Sequence, residues 1–291
     1  MKIAISPCPN DTFVFHAWVH GLIPDAPQPD VTYADIDITN TLASGHDGPD
    51  VIKISYAALP WVSSEYALLP CGGALGKGCG PLLLTSQRAD SSIDPADLSS
   101  KRVAVPSKRS TAYLLFRLWA AQQMPRGVGE IVVLPFNEIM PAVRDGLVDA
   151  GLVIHEARFT YPQYGLTLLV DLGSWWEKDT NLPIPLGAII ARRSLDLSAI
   201  TRWIQASVNY AWAHLEESKE YILYHSQELS PEVTKAHIKL YVNEFTENIG
   251  EIGYRAATSL LRRATQEGLV PKFNYRQVMG NCLNYLSTAD P

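Results

Sequence analysis

Apolar runs and segments of helical periodicity alternate along the first two thirds of the chain. A short apolar run at residues 2–5 is followed by a turn with two prolines and then by apolar side chains at helical spacing. Residues 31–38 alternate like a strand, a short helix is predicted next, and residues 50–54 form another apolar run. Because strands and helices succeed one another in this way, the pattern predicts an α/β fold.

A second series of strand and helix segments begins after residue 86, and residues 184–193 read as a strand that returns to the first series. We therefore expect a larger lobe made of residues 1–86 and 188–291, with a smaller α/β lobe of residues 87–187 inserted into it. Two chain crossings between two such lobes are typical of the type II periplasmic-binding-protein clamp. This architecture has a central cleft.

The sequence DAGLVIHEARF, residues 149–159, places a histidine at the end of a predicted strand. Ligands of α/β sheets bind outside the carboxyl ends of the strands, so we expect His155 at the edge of the cleft. Neutral imidazole is suited to act as a base because the unperturbed pKa of histidine is about 6.5. The alternative is a core histidine that a backbone carbonyl satisfies. Glu156 is adjacent and would face away in an extended chain, so it is not assigned as the partner of His155.

Two positions in the first lobe are candidates for binding an anion. Asn10 and Asp11 lie where the first strand ends and the first helix begins, which suits a carboxylate ligand. The alternative is a plain turn in which Asn10 or Asp11 caps the helix. Lys53 and Ser55 lie two residues apart in a strand and so point to the same side. The amine of Lys53 either reaches the surface or points into the cleft towards an acid.

The helix predicted from residue 107 onward begins with Ser110 and Thr111. Its inward face is predicted to carry Leu114, Leu115, Leu118 and Trp119. Backbone N–H groups and hydroxyls converge at such a start, which makes it a second candidate for carboxylate binding. Simple capping by these hydroxyls is compatible with that role.

Signals for metal, nucleotide or thiol chemistry are weak. His16 and His20 have the i, i+4 spacing of a metal pair, but no third ligand is evident, and we expect no metal site. The glycine-rich residues 72–80 lack the spacing of a phosphate loop or a dinucleotide fingerprint, and no cofactor is expected. No CxxC pair occurs. Pairing of Cys71 with Cys79 stays open, although free thiols are the favoured interpretation.

The composition is that of a soluble globular protein. The chain has 291 residues, 47% of them hydrophobic, and a formal net charge of −6. It shows no basic stripe, so a nucleic-acid partner is not expected. No apolar stretch approaches the roughly 18 residues of a membrane helix, and no export segment is recognised. We therefore expect a cytoplasmic protein without membrane insertion, and the oligomeric state stays open between monomer and homodimer.

Five motifs resemble the 1,4-dihydroxy-6-naphthoate synthase family. They are SPCPNDTFVFHAWVHGLI at residues 6–23, KIS at 53–55, GGALGKGCGPLL at 72–83, IHEARFTY at 154–161 and YVNEFT at 241–246. The first and fourth are specific, whereas the glycine-rich motif alone would be weak. The motifs are spread from residue 6 to residue 246, so the resemblance covers nearly the whole chain.

The resemblance implies a cofactor-independent lyase of the futalosine route to menaquinone. Such an enzyme cleaves a carbon–carbon bond in cyclic dehypoxanthinylfutalosine, a small-molecule carboxylate, and leaves 1,4-dihydroxy-6-naphthoate. The resemblance implies His155 as the base. It implies substrate contacts at Lys53, Ile54, Ser55, Ser110, Thr111 and Ala112.

Three other functions fit parts of the pattern. Chorismate dehydratase, a sister family in the same pathway, shares the fold. A non-catalytic solute-binding protein for a small acid would explain the clamp, but such proteins normally need an export signal. The effector-sensing half of a transcription regulator normally follows a DNA-binding helix pair, whereas this sequence starts with the first strand of the first lobe.

Overall fold

The computed structural model describes residues 1–86, 95–124, 126–155, 157–226 and 230–275. In chain order the strands are β1 (Lys2–Ile5), β2 (Asp30–Tyr33), β3 (Val51–Ser55), β4 (Tyr66–Leu68), β5 (Ala74–Gly76), β6 (Leu82–Ser86), β7 (Arg102–Val105), β8 (Glu130–Val133), β9 (Ala150–Val153), β10 (Leu166–Asp171) and β11 (Ile184–Arg192). The helices are α1 (Pro9–Val19), α2 (Ile36–Ala43), α3 (Leu59–Val62), α4 (Thr111–Gln123), α5 (Phe136–Arg144), α6 (Ala157–Thr160), α7 (Leu172–Thr180), α8 (Leu197–Ala213), α9 (Lys219–His225), α10 (Pro231–Tyr241), α11 (Glu244–Glu247) and α12 (Gly250–Gln266).

The chain forms two compact α/β units. One consists of Met1–Gly76 together with Pro185–Pro291, and the other of Lys77–Ile184. The chain therefore passes from the first unit to the second and back once each. The predicted junctions at residues 86 and 187 lie close to these, but β6 belongs to the second unit because it pairs with β9 and β10.

The first unit is built on a six-stranded mixed sheet with the order β2-β1-β3-β11-β4, and β5 also pairs with β11. β1 is parallel to both β2 and β3, whereas β11 is antiparallel to β3. The side chains of β3 are buried on both faces, as is typical of a central strand in an α/β sheet. The carboxyl ends of β1, β2 and β3 meet at one edge of this sheet.

Helix α1 is the centre of the first unit. Every residue from its start to Trp18 is buried, so no side of this part of the helix faces solvent, and its polar side chains need partners inside the protein. Ser207 of α8 donates a hydrogen bond to the carbonyl of Val14 at 2.6 Å and accepts one from the backbone N–H of Trp18 at 3.2 Å. The predicted capping by Asn10 or Asp11 is wrong. The helix begins at Pro9 with Cys8 as its N-cap, and both polar side chains have other partners.

The second predicted strand is shorter than the alternation suggested. β2 ends at Tyr33, and α2 begins at Ile36 with Asp35 as an extended N-cap residue. The strand period of two residues and the helix period of about 3.6 are hard to separate here, because a sequence of acidic and apolar residues fits a strand and the first turn of a helix equally well. As a consequence, Asn40 is turned inward from a helix that packs on β3.

The second unit is built on a five-stranded sheet with the order β10-β6-β9-β7-β8. β7 is parallel to β8 and β9, whereas β6 and β10 are antiparallel to their neighbours. The carboxyl ends of β7, β8 and β9 therefore meet at one edge. The predicted inward face of α4 is confirmed, since Leu114, Leu115, Leu118 and Trp119 are all buried.

The later helices agree with their sequence signals. α10 begins at Pro231, and the hydroxyl of Ser230 accepts a hydrogen bond from the backbone N–H of Val233. α12 begins at Gly250. Among the described residues, no helix combines the length and the apolar character that would be needed to cross a membrane.

Close packing of α5 on β9 depends on Gly151. A Cβ atom at this position would lie 2.6 Å from Cγ2 of Ile139 and 2.7 Å from Cγ2 of Val143. Both side chains are fully buried in the core of the second unit. A methyl group at residue 151 would therefore push the helix away from the sheet.

We expect Gly151→Ala to lower the free energy of unfolding of the second unit by about 1–3 kcal/mol, the usual effect of overpacking. Urea denaturation followed by circular dichroism measures it. Gly45→Ala is the control, because a Cβ atom there meets only the carbonyl oxygen of Leu42 at 3.4 Å. Equal stabilities for Gly151→Ala and the unmodified protein would contradict the packing argument.

Candidate functional site

The carboxyl edge of the first sheet holds a buried ion pair between Lys53 and Asp11. Lys53 lies on β3 and Asp11 in the first turn of α1, and their side chains are 4% and 1% exposed. The ammonium group donates a hydrogen bond to Oδ1 of Asp11. Of the two orientations considered for Lys53, the surface position is wrong, and the amine is buried against an acid.

The carboxylate of Asp11 accepts hydrogen bonds from two further donors. The backbone N–H of Ser6 lies 3.3 Å from Oδ2, and Nδ2 of Asn10 lies 2.6 Å from Oδ1. A buried charge needs a counter-charge and hydrogen bonds on its remaining lone pairs to be tolerated, and Asp11 has both. The structure thus brings Asn10, Asp11 and Lys53 together.

His237 extends this polar group. Its Nε2 lies 2.9 Å from Oδ1 of Asn10, and its ring stacks at a tilt against Tyr241, with centroids 4.5 Å apart. The sequence analysis did not single out His237. No local pattern identifies it, because its partner is 227 positions away and the residue lies in an ordinary amphipathic helix.

Ser55, at the end of β3, is held by Asn40 from α2. The backbone N–H of Ser55 donates to Oδ1 of Asn40 at 2.8 Å, and Nδ2 of Asn40 donates to the hydroxyl oxygen at 3.1 Å. The hydroxyl hydrogen of Ser55 is therefore available to another acceptor. Ile54, between the two polar residues, is fully buried in the sheet. Asn40 is a second residue that the sequence analysis missed.

Gly187 gives Lys53 its space. It lies on β11 directly opposite Ser55, and a Cβ atom at residue 187 would collide with Cε of Lys53. The buried lysine on β3 and the glycine on β11 therefore depend on each other.

The glycine-rich motif and the YVNEFT motif form one structural unit. Nδ2 of Asn243 donates to the carbonyl of Leu75 at 2.8 Å, and the N–H of Gly72 donates to the carbonyl of Thr246 at 2.7 Å. Asn243 and Thr246 also form a capping box at the start of α11. These contacts hold the β5 segment against the start of α11, so the second motif anchors the first.

The cysteines near this motif carry unpaired thiols. Cys71 and Cys79 form no disulfide with each other, and both are buried. Burial raises the pKa of each thiol to about 12, so neither is a ready thiolate at neutral pH. The fourth cysteine, Cys282, lies outside the described residues.

His155 lies at the carboxyl edge of the second sheet, two residues beyond the end of β9. Its backbone is left-handed, with φ of 55°, which is uncommon for a residue other than glycine. Its ring packs edge-to-face on Phe136, with centroids 5.5 Å apart. The chain is therefore not extended at His155, and the argument that Glu156 faces away has no basis. Glu156 itself lies outside the described residues.

Arg158 ties the segment after His155 to the rest of the second unit. Its guanidinium donates to the carbonyl of Gly80 at 2.8 Å and forms an ion pair with Oδ2 of Asp171. Oδ1 of Asp171 in turn caps α7 by accepting from the N–H groups of Gly173 and Ser174. Arg158 belongs to the IHEARFTY motif, but no local pattern indicates its partners.

The start of α4 lies at the same edge as His155, because β7 and β9 are parallel neighbours. Ser110 caps the helix as predicted, with its hydroxyl oxygen 3.1 Å from the N–H of Tyr113, and it donates to the carbonyl of Ser107 at 3.0 Å. Thr111 and Ala112 occupy the first two helical positions, where backbone N–H groups have no acceptor within the helix. Carboxylate binding at this point stays a prediction.

His16 and His20 belong to an aromatic cluster. Their ring centroids are 4.5 Å apart, and both rings pack against Tyr221. Burial lowers the pKa of His16 to about 4; the charge of His20 acts in the same direction, and Glu217 acts against it. Within the part of the chain that the structure describes, no three His, Cys, Asp or Glu side chains are grouped so as to hold a metal ion.

Comparison with known proteins places this chain in a family. The profile of a family described as Menaquinone biosynthesis matches residues 1–266. A 1,4-dihydroxy-6-naphthoate synthase of Streptomyces coelicolor is 63% identical over 274 residues, which cover 93% of this chain and 95% of that protein. The synthase of Thermus thermophilus is 44% identical over 273 residues, covering 92% and 95%.

Solved structures of similar fold agree with the predicted architecture. A protein of Archaeoglobus fulgidus has a TM-score of 0.84 and 33% identity, covering 92% of this chain and 98% of its own. The periplasmic aliphatic sulphonate-binding protein SsuA of Escherichia coli has a TM-score of 0.67 at 15% identity, covering 95% and 90%. The fold is thus that of the periplasmic binding proteins, as predicted.

We expect Lys53→Met to destabilise the first unit strongly, because the carboxylate of Asp11 would stay buried without its counter-charge. Removing one partner of a buried ion pair typically costs about 3–5 kcal/mol. The double variant Lys53→Met/Asp11→Asn should cost less than the sum of the two single variants. Urea unfolding measures all three, and strictly additive losses would show that the pair is not coupled.

We expect His16 to make the protein less stable as the pH falls from about 6.5 to 4. The unfolded chain binds a proton at the ordinary pKa of about 6.5, whereas folded His16 binds one only near 4. Between these values the unfolded state holds more protons, so the free energy of unfolding decreases as the pH is lowered. The contribution of His16 to stability is fully present above the unfolded pKa. Urea midpoints at pH 7 and pH 5 should differ less in His16→Phe than in the unmodified protein; an equal difference would contradict this.

Proposed function

The chain belongs to the menaquinone biosynthesis family as a relative of its 1,4-dihydroxy-6-naphthoate synthases, and from this premise we propose that it is a lyase acting on cyclic dehypoxanthinylfutalosine. The proposed reaction breaks a carbon–carbon bond, releases the sugar remnant and leaves 1,4-dihydroxy-6-naphthoate. The support is the extent of the likeness, which spans nearly the full length of both curated relatives.

His155 is the proposed base. The observation that carries this assignment is its left-handed backbone beside the ring of Phe136. A residue other than glycine in this conformation costs roughly 1–2 kcal/mol, and such outliers cluster at active sites. Neutral imidazole would take a hydroxyl or carbon-bound proton of the substrate, and the electron pair left behind would form a new double bond. The electron pair of the breaking carbon–carbon bond would pass to a conjugated carbonyl group of the substrate as an enolate, which is then protonated.

The proposed substrate contacts in the first unit are grouped around Lys53. Its ammonium has three donors, of which one serves Asp11, so the others are suited to an anionic or carbonyl oxygen. Ser55 would donate its hydroxyl hydrogen, and Ile54 would take part through its backbone. Asn10 and Asp11 would contribute next to Lys53, Asp11 through its negative charge and Asn10 through the hydrogen bond that it donates to Asp11.

The proposed contacts in the second unit are at the start of α4. The backbone N–H groups of Thr111 and Ala112 would bind a carboxylate or carbonyl oxygen. Ser110 would contribute by holding the helix start in place, since its hydroxyl bridges the carbonyl of Ser107 and the N–H of Tyr113. A helix start favours negative charge because the N–H groups and the helix dipole both point at the ligand.

The proposed enzyme needs no metal or organic cofactor, as the sequence resemblance implies, and its proposed location is the cytoplasm. Base catalysis by His155 and oxygen binding by Lys53 together supply the groups that a retro-aldol-type cleavage requires. Turnover that persists unchanged after dialysis against a chelator would support a reaction without a metal. Loss of turnover that a divalent metal restores would overturn this proposal.

A conversion assay tests the substrate assignment. Purified protein is incubated in parallel with cyclic dehypoxanthinylfutalosine and with chorismate, and products are followed by liquid chromatography with mass detection. Release of 1,4-dihydroxy-6-naphthoate from the first compound is the expected result. Consumption of chorismate alone would identify a dehydratase, and tight binding of either acid without chemical change would identify a solute-binding protein.

His155→Ala should abolish turnover but keep much of the substrate binding, and the loss of a positioned base typically lowers kcat by about 10²–10⁴-fold. His155→Asn is the sharper variant, because asparagine tolerates the left-handed backbone better than alanine does. His46→Ala, at an exposed histidine of the first unit, is the control and should be unchanged. Full turnover in His155→Asn would refute the base assignment.

A further inference from the structure

A buried chain of hydrogen bonds runs from α10 to β3 in the first unit. Nε2 of His237 contacts Oδ1 of Asn10, Nδ2 of Asn10 contacts Asp11, and Asp11 is paired with Lys53. None of the four side chains is more than 8% exposed. We propose that His237 and Asn10 are positioning residues, which orient Asp11 and through it hold the ammonium of Lys53 where it binds a substrate oxygen. This inference rests on the proposed function.

The direction of every hydrogen bond in the chain follows from its end at Asp11. An ionised carboxylate can only accept, so Asn10 must turn its NH₂ group towards Asp11. The carbonyl oxygen of Asn10 then faces His237, which must therefore be the donor. This series of hydrogen bonds requires His237 to carry hydrogen on Nε2, either as the neutral Nε2–H tautomer or in the protonated form.

The orientation of Asn10 matters because its amide is nearly symmetric in shape. If the amide turned over, its carbonyl oxygen would take the present place of the NH₂ group, 2.6 Å from Oδ1 of Asp11. Two acceptors at that distance repel each other. His237 prevents the turn by occupying the carbonyl oxygen from the other side.

A fixed Asp11 in turn fixes Lys53. Oδ1 of Asp11 accepts from both Asn10 and Lys53, while Oδ2 accepts from the N–H of Ser6. The carboxylate therefore cannot rotate to follow the ammonium group. It takes one ammonium hydrogen in a set direction, and the other two hydrogens of Lys53 point in directions that this bond determines.

A purely structural role would have different consequences. Polar groups that only fill the space beside α1 would affect the fraction of folded protein and hence the apparent kcat, with KM unchanged. A positioning role instead weakens a contact made to the bound substrate, so KM rises while kcat is nearly kept.

The test compares His237→Phe with His237→Gln in the conversion of cyclic dehypoxanthinylfutalosine. Phenylalanine keeps a ring but removes the donor, and we expect KM to rise about tenfold, the effect of one lost hydrogen bond, with kcat within about threefold. Glutamine can donate to Asn10 and should restore KM to within about threefold. His214→Phe, at an exposed histidine, is the matched control. An unchanged KM in His237→Phe, or no rescue by glutamine, would overturn the inference.

A second measurement does not depend on activity. The ring nitrogen shifts of the protein labelled with ¹⁵N-histidine, assigned by comparison with His237→Gln, should show hydrogen on Nε2 of His237 at neutral pH. Hydrogen on Nδ1 alone would overturn the hydrogen-bond chain even if the enzyme is active. No conversion of the substrate together with the expected shifts would mean that the proposed function fails and takes the positioning role with it, while the hydrogen-bond chain stands.

Discussion

Parallel strands that lie side by side end at the same edge of their sheet, and this constraint organises both units of the protein. In the first unit the residues after β1, the inward face of α2 and the end of β3 lie at this edge, where Asp11 pairs with Lys53 and Asn40 contacts Ser55. In the second unit the edge collects the starts of α4 and α5 and the turn that carries His155. Each set of candidate residues exists because three strand ends converge.

Electrostatics decides what the first edge can tolerate. Lys53 on its central strand is almost wholly shielded from water, so its charge has to be matched inside the protein. Asp11 supplies the charge, and Ser6, Asn10 and His237 complete the hydrogen bonds around it. Replacing a buried ion pair by apolar residues is often neutral or stabilising. Stability alone therefore does not account for such a pair with its ordered set of partners, which is why Lys53 stands among the proposed substrate contacts.

The same fold serves solute-binding proteins and enzymes, so the fold alone does not decide the function. The likeness to the sulphonate-binding protein shows only the architecture. The likeness to the naphthoate synthases spans more than nine tenths of the chain, and the family profile matches residues 1–266, a range that includes both sheet edges. The left-handed turn at His155, held by Arg158 to Gly80 and Asp171, is a local strain that a passive scaffold does not need.

The sequence by itself determined the order of strands and helices, the start of α4 at Ser110 and the position of His155 near a strand end. These features are local, because periodicity and capping depend on neighbouring residues. Only the tertiary structure decided that Asp11 pairs with Lys53 rather than capping α1. It alone placed His237 on Asn10 and gave His155 a left-handed backbone. Such contacts join residues far apart in the chain, and a local pattern carries no signal for a partner that the fold brings into reach.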